Sequence, residues 1–431
     1  MHTHGNDTAF CRGNYFPRSR RRPTWVDQSI PVVFRSHSPG IDPFDDVQLG
    51  DEDSGLKIER QELFDHTLTS ARLVFTAQHR ISLFMLLIIG RRFRLLRWDR
   101  AGVIVTPSID YYNQPAVLCD IFRRLSHLDD VGLGFDPSAT RVSPGKADYL
   151  RMEAAATRRN SDIDHHVHEL PEFEPHGKPV FAYVRSLFRT SLAEEWPRYK
   201  LAVPHATGTR EYLVGKPVFI SDTLFGRGTR GYVALDCTTD RFVWLKDTWR
   251  SSYLFADREG DILQRLNHAG IDNVPTLASH GDIPLQVTTS SNWTGQPLDA
   301  SAPIGSIATP DKRKRKREDE DDEVDGAHGS DGPLPRHTHY RLVVEEVCIP
   351  LRWFENSRQL VSITADCLRG ELHETAWRSP LKYVFKPICR PQQIPQRDCF
   401  TVILAVETCS SFPSLQEGVK GCVHPSLTLA S

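Results

Sequence analysis

The sequence predicts an α+β fold: folded blocks of strands and helices separated by polar, charge-rich inserts. Three observations carry that expectation. Short apolar runs of strand type recur with turn residues between them. Two stretches, Ala116–Leu128 and Val361–Trp377, show apolar residues at helical spacing. Blocks of charge, Ser and Pro separate these periodic segments. Of 431 residues, 39% are hydrophobic and 25% charged, which suits a globular chain long enough for two or three domains. The net charge of −2 supplies no global field toward nucleic acid or a membrane surface.

Taken in order, residues 1–60 are rich in Arg, Ser, Pro, Asp and His without sustained periodicity, and are expected to be disordered apart from short strands. Residues 61–155 are expected to be folded. Within it Gln78–Leu87 is compact and apolar, and Arg92–Trp98 alternates. Asp99-Arg100-Ala101-Gly102 is a turn signal and Val103-Ile104-Val105 returns, so a β-hairpin is predicted. Helix Ala116–Leu128 follows, with Val117, Leu118, Ile121, Phe122, Leu125 and Leu128 on its stripe. Residues 156–178 read as a loop. Its His165, His166 and His168 fit neither a helical ligand pair nor a zinc finger, so the cluster reads as solvated rather than metal-binding.

Residues 211–286 form the most informative block. Residues 287–338 read as a disordered insert, in which the basic run Lys312–Arg317 is followed directly by the acidic run Glu318–Glu323. The basic run reads as a nuclear import signal, against the competing reading of a solubilising insert neutralised by its acids. No aromatic residue interleaves it, so nucleic-acid binding is not expected. Residues 339–377 resume folded character, with strand Tyr340–Val344 and helix Val361–Trp377. Beyond Trp377, Pro380, Pro387, Pro391 and Pro395 break any helix. Thr401–Val406 is a strand candidate within a poorly ordered tail, 378–431. The nine cysteines (Cys11, Cys119, Cys237, Cys348, Cys367, Cys389, Cys399, Cys409, Cys422) are odd in number and lack metal-ligand spacing, so they read as free thiols of a reducing compartment. The polar N-terminus has no signal-peptide core, and the run Phe84–Ile89 is too short to cross a bilayer. An intracellular chain without a membrane partner is expected.

Gly226-Arg227-Gly228-Thr229-Arg230-Gly231 is a G-x-G-x-x-G, a pattern that dinucleotide-binding folds share with protein kinases. The flanks decide between them. In a dinucleotide fold the third glycine opens a helix. Here Gly231 leads into the strand-type run Tyr232-Val233-Ala234-Leu235, and Val218-Phe219-Ile220 before the loop is also strand-type. A polar turn, Cys237–Arg241, then gives way to Phe242-Val243-Trp244-Leu245-Lys246, a strand ending in lysine. Glycines let a backbone close over a triphosphate, a strand lysine supplies charge to the α- and β-phosphates, and an acid on the next helix holds that lysine. Glu259 is the chosen partner of Lys246, ahead of Asp257 and Asp261. The competing reading is a solvated strand-end lysine beside a plain glycine hairpin.

At this point the chain resembles the fungal-type protein kinases. The segments that carry the resemblance are Leu224–Tyr232, Leu245–Arg250, Asn273–Leu277, Gln78-His79-Arg80, Arg97–Gly102, His339–Val343 and Pro350-Leu351, spanning about residues 60–377. The resemblance implies a family-specific N-terminal region (61–210), a kinase N-lobe of antiparallel sheet plus αC-type helix (211–286), a charged insert, and a hinge with the start of a helical C-lobe (339–377). It implies ATP contacts at Gly226, Gly228, Gly231, Val233, Lys246 and Glu259. Adenine would be read by the backbone after Glu345 and Glu346, and His373-Glu374-Thr375-Ala376 would end the helix before the catalytic loop. The family activity so implied is ATP-dependent phosphorylation of protein Ser/Thr.

The sequence departs from that pattern downstream. No H-R-D-x-x-x-x-N and no Asp-Phe-Gly occurs. Gln396-Arg397-Asp398 lacks the His and has Ile403 where the Asn belongs. No catalytic Asp is therefore assigned, and the acids that would hold Mg2+ are missing, which argues for weak ATP binding at best. The loss of resemblance after Trp377 reads as a truncated or divergent C-terminus. The expected alternative to an enzyme is a pseudokinase-type module that binds a protein partner.

Overall fold

The computed structural model of the chain describes residues 8–11, 24–36, 40–45, 50, 53–164, 180–252, 257–271, 273–292, 335–350, 354, 356–362, 385–386 and 402–403. Its fold is mixed α+β, as expected, and is organised around two sheets.

The first sheet grows from a strand that is apolar at every position. In β3 (Leu83–Ile89), Leu83, Met85 and Leu87 point to one face while Phe84, Leu86 and Ile88 point to the other. Such a strand needs cover on both sides. β1 (Thr8–Cys11) and β2 (Gln28–Arg35) precede it, with α1 (Ser54–Ala77) crossing between β2 and β3, which pair in parallel. β4 (Arg92–Trp98), β5 (Val103–Val105) and β6 (Ile109–Asp110) complete the order β1-β2-β3-β4-β5, with β6 beside β4. The predicted hairpin is present, with Trp98 opposite Val103. α1 seals one face by packing Leu63, Val74 and Phe75 on Leu83, Met85 and Trp98. α2 (Pro115–His127) seals the other, with Val117, Leu118, Ile121 and Phe122 against Val32, Leu86 and Phe93. It matches the predicted helical stretch and starts on a proline, whose fixed φ suits a first turn.

Residues 1–60 contribute β1 and β2 to this sheet. β2 lies inside that segment, with Ile30, Val32 and Val33 buried. Pro31 interrupts its run, and the strand gains its stability from a parallel partner some fifty residues away, so no local period announces it.

The second sheet contains β7 (Ala139–Val142), β8 (Arg198–His205), β9 (Gly208–Val214), β10 (Phe219–Ile220), β11 (Arg230–Asp236), β12 (Phe242–Ser251), β13 (Leu277–Val287) and β14 (His337–Val344). Helices α3 (Ala147–Ala156) and α4 (Ala182–Ser191) lie between β7 and β8, and α5 (Glu259–His268) between β12 and β13. The order is β13-β14-β12-β11-β9-β8-β7, antiparallel throughout, with β10 beside β11. Two corrections follow. The sheet runs through the predicted boundary at residue 210, since β7 and β8 belong to it. And β12 does not end at Lys246. It continues to Ser251 because Asp247–Ser251 stay paired with Arg341–His337 of β14.

One face of this sheet packs Tyr199, Leu201, Tyr212, Tyr232, Leu245 and Val343 together. On the other, α3 and α4 cover Leu213, Val233 and Leu235, and α5 covers Leu342 and Val344. Downstream, a short helix occupies residues 357–362, and the rest of the predicted Val361–Trp377 helix lies outside the described residues. A two-residue strand, β16 (Val402–Ile403), falls within the predicted strand Thr401–Val406 and pairs antiparallel with β15 (Phe385–Lys386). The His165/His166/His168 cluster, the run Lys312–Arg317 and His373–Ala376 also lie outside the described residues.

Candidate functional site

The period of two along β12 sends adjacent residues to opposite faces. Lys246 points to the helix-covered face and Asp247 to the other. Lys246 sits opposite Gly231 on β11 and Leu342 on β14. Its Nζ donates to Glu259 Oε2 at 2.7 Å, with side chains only 14% and 17% exposed. Burial lowers the pKa of Lys246. Glu259 opposes that shift, and the nearby positive charge of Arg227 adds to it. The other carboxylate oxygen of Glu259, Oε1, is buried without a hydrogen-bond partner among the described residues. The rivals are engaged elsewhere: Asp257 pairs with Arg265, and Asp261 with Arg258 at 2.7 Å.

Glu259 reaches Lys246 because α5 docks closely. The Gly260 amide donates to Tyr340 Oη at 2.9 Å, fixing the helix start on β14. A Cβ on Gly260 would lie 2.1 Å from the His280 ring, so only glycine permits this approach.

The three predicted loop glycines do not share one role. Gly226 (φ +86°) donates its amide to Arg100 O at 2.8 Å. Gly228 (φ +46°) lies on the Arg100 guanidinium, 2.3 Å from Cζ to where a Cβ would stand. Gly231 is in the strand, and a Cβ there would be 2.4 Å from Cζ2 of Trp244. The loop is tied down on both sides. Arg227 O accepts from the Trp249 amide at 2.8 Å, and Arg100 Nη1 donates to Leu224 O at 2.8 Å. Leu224 is buried in the first sheet's core and Phe225 stacks on Trp98. Arg100 itself is buried, and burial with Arg230 alongside pushes its pKa down to about 9.

Val233, also predicted to face a ligand, is 1% exposed. It packs with Met152, Val184, Phe188 and Val347, against half-buried Trp244. After β14, the Glu345 amide donates to Thr276 O at 2.9 Å and Glu346 Oε2 accepts from the Thr276 amide at 2.9 Å. The next carbonyl, Val347 O, accepts from Tyr183 Oη of α4 at 2.5 Å.

The family model described as fungal protein kinase matches residues 51–172 and 188–376. The chain belongs to the fungal protein kinase family. The matched residues hold most of both sheets and every predicted contact residue. No curated protein and no solved structure matches the chain.

In this fungal kinase family member, ATP can be tested for fit at the two ends of the face. At the phosphate end the Lys246–Glu259 pair fits, because a strand ammonium, the donor a phosphate needs, is held in place by a helix carboxylate. At the base end the residues do not fit. Val233 is sealed by α4, the Trp244 indole lies against Gly231, and Tyr183 already fills the acceptor at Val347. Among the described residues no group of three His, Cys, Asp or Glu side chains could hold a metal ion.

The sequence reading missed Arg100, Tyr183 and Trp244. Arg100 stood inside a quoted family segment without a role. The length of an indole two residues before the lysine, on the lysine's own face, was the signal available for Trp244.

Proposed function

We propose that residues 211–286, with strand His337–Val344, form a protein-kinase-type N-lobe, and that this 431-residue chain is a pseudokinase-type binding module rather than a phosphotransferase. The observation that carries the reading is the Lys246–Glu259 pair. A lysine from the strand after the glycine-loop strand, held at 2.7 Å by a glutamate on the following helix, is the brace that kinase chemistry uses to position phosphates. The strand order supports it: β11, β12 and β14 are neighbours, with β13 at the edge.

Against transfer stands the sequence. Phosphoryl transfer needs an Asp to take the substrate hydroxyl proton, and an Asn and a second Asp on magnesium. The 431 residues contain neither H-R-D-x-x-x-x-N nor Asp-Phe-Gly. Under this reading 287–338 is an insert, 339–377 the hinge and start of a C-lobe, and 378–431 a divergent tail. The partner is a protein, and Lys312–Arg317 directs nuclear import. A radiolabelled phosphotransfer assay on the purified chain, with Lys246→Met alongside, tests the activity part. The expected result is incorporation no higher than the substituted control. Incorporation into itself or a mixed Ser/Thr substrate that Lys246→Met abolishes would overturn it.

A further inference from the structure

We propose that helix α4 is a built-in occupant of the nucleotide face, and that a nucleotide reaches Lys246 only when α4 leaves. The proposal rests on the kinase-type reading of that face. Strand pairing lines Gly231, Val233, Trp244, Lys246, Leu342 and Val344 along one side of the sheet. α5 closes the Leu342 end. α4 closes the Val233 end, with Val184 and Phe188 in the same cluster as Val233 and Val347. A purine in such a cleft needs flat apolar contact and a hydrogen bond at the backbone leaving the last strand. α4 supplies both from within the chain. Phe188 and Val184 give the apolar contact, and Tyr183 Oη donates to Val347 O at 2.5 Å. Burial raises the Tyr183 pKa, so the phenol stays a donor at neutral pH.

The helix is anchored rather than resting. Arg185, 5% exposed, donates to both carboxylate oxygens of Asp162 at 2.9 and 2.7 Å and to Ala155 O at 2.6 Å. The Tyr183 hydrogen bond is its one polar tie to the strand-exit backbone among the contacts described. The family match breaks across residues 173–187, where α4 begins, so the occupant starts in a stretch that the shared pattern does not cover.

A site whose open form is a minor state binds with its intrinsic constant divided by that minor fraction. Removing one neutral hydrogen bond from the closed form shifts such an equilibrium about five- to tenfold. The test titrates the full chain with N-methylanthraniloyl-ATP, read by anisotropy, while hydrogen exchange follows the α4 amides. Tyr183→Phe keeps the ring volume and so keeps the fold, and Trp244→Ala is then added to it.

Wild type is expected to bind no tighter than about 1 mM. Tyr183→Phe should bind about five- to tenfold tighter and the double variant tighter again, with faster α4 exchange, and adding Lys246→Met should abolish the gain. Equal affinity of wild type and both variants, with α4 exchange unchanged by nucleotide, would overturn the proposal and leave the kinase-type reading standing. Variants that fold and exchange α4 at least about tenfold faster, yet bind no nucleotide, would instead remove the reading itself, and the proposal with it.

Discussion

Lys246 and Asp247 are neighbours in sequence and stand back to back in the sheet, so a single peptide serves two environments. On the Lys246 side an ammonium and a carboxylate share one short hydrogen bond with little water nearby. Removing either charge strands the other, and the cost of the stranded charge exceeds the net worth of the pair. Single changes Lys246→Met and Glu259→Gln should each destabilise, and their double-mutant cycle should give a coupling of about 1–3 kcal/mol in urea unfolding. A coupling under about 0.3 kcal/mol would mean that the pair is solvated. The glycines separate in the same way. Gly226→Ala meets open space and carries only the left-handed backbone penalty, about 1 kcal/mol. Gly228→Ala carries that penalty and drives a methyl into the buried Arg100 guanidinium, so it should cost about 2–4 kcal/mol. Unfolding midpoints of the two variants rank them, and an equal loss would show that Arg100 yields freely.

At the scale of elements, what could be read in the sequence was whatever carried its own period or punctuation. The β4–β5 hairpin announced itself through Asp99–Gly102, α2 through its stripe, and β11 and β12 through apolar runs split by the Cys237–Arg241 turn. Glu259 was legible because a strand lysine and a helix acid have to meet for the chemistry. What stayed hidden depends on distant partners. β2 is a strand because β3 lies parallel beside it. α4 was missed because Arg185 interrupts its apolar stripe, and Asp162 with the Ala155 carbonyl makes that arginine tolerable inside. The family segments Gln78-His79-Arg80 and His339–Val343 were visible as words without meaning. Their reason is a shared carboxylate: His339 and Arg341 both donate to Asp247, and His79 lies 3.5 Å from it. α5 supplies the prediction for this scale. Ala usually stabilises a helix over Gly by about 1 kcal/mol, yet at Gly260 a methyl would strike the His280 ring. Gly260→Ala should therefore lower the melting temperature, by the few degrees that about 1–3 kcal/mol of overpacking produces. A rise in melting temperature would mean that α5 does not dock as described.

At the scale of the molecule, the two sheets are joined by a buried polar hub, and the hub makes stability depend on pH. Asp247 accepts from His339 at 2.5 Å and from Arg341 at 3.0 Å, while Arg341, fully buried, also donates to Asp136 at 2.6 Å. Arg230 reaches from the second sheet to Gln78 O at the end of α1, at 2.8 Å. His79 sits among these groups. Its Nδ1 accepts from Arg230 Nη1 at 3.2 Å, an arrangement that requires the neutral ring. Burial, then the charge of Arg230, lowers its pKa from the ordinary 6.5 to about 4, despite Asp247 nearby. Between pH 6.5 and 4 the unfolded chain therefore binds a proton that the folded chain refuses. The unfolding free energy falls as pH falls through that window, by about 3 kcal/mol in all at His79. Asp136 and Asp247 lie below their ordinary 3.8, so their loss has the same sign but begins only at lower pH. His280 and His337, also lowered by burial, add to the slope, so the decisive quantity is a difference between proteins. Urea midpoints of wild type and His79→Gln measured from pH 7.5 to 4.5 supply it. The wild-type midpoint should fall across the range, and the substituted chain, less stable at pH 7.5, should lose about 2–3 kcal/mol less over the same interval. Parallel slopes would mean that His79 titrates alike in the folded and unfolded chain, and that the junction between the sheets does not hold its ring neutral; a wild-type midpoint that falls less than the variant's would mean that the junction holds it as a third cation beside Arg230 and Arg341.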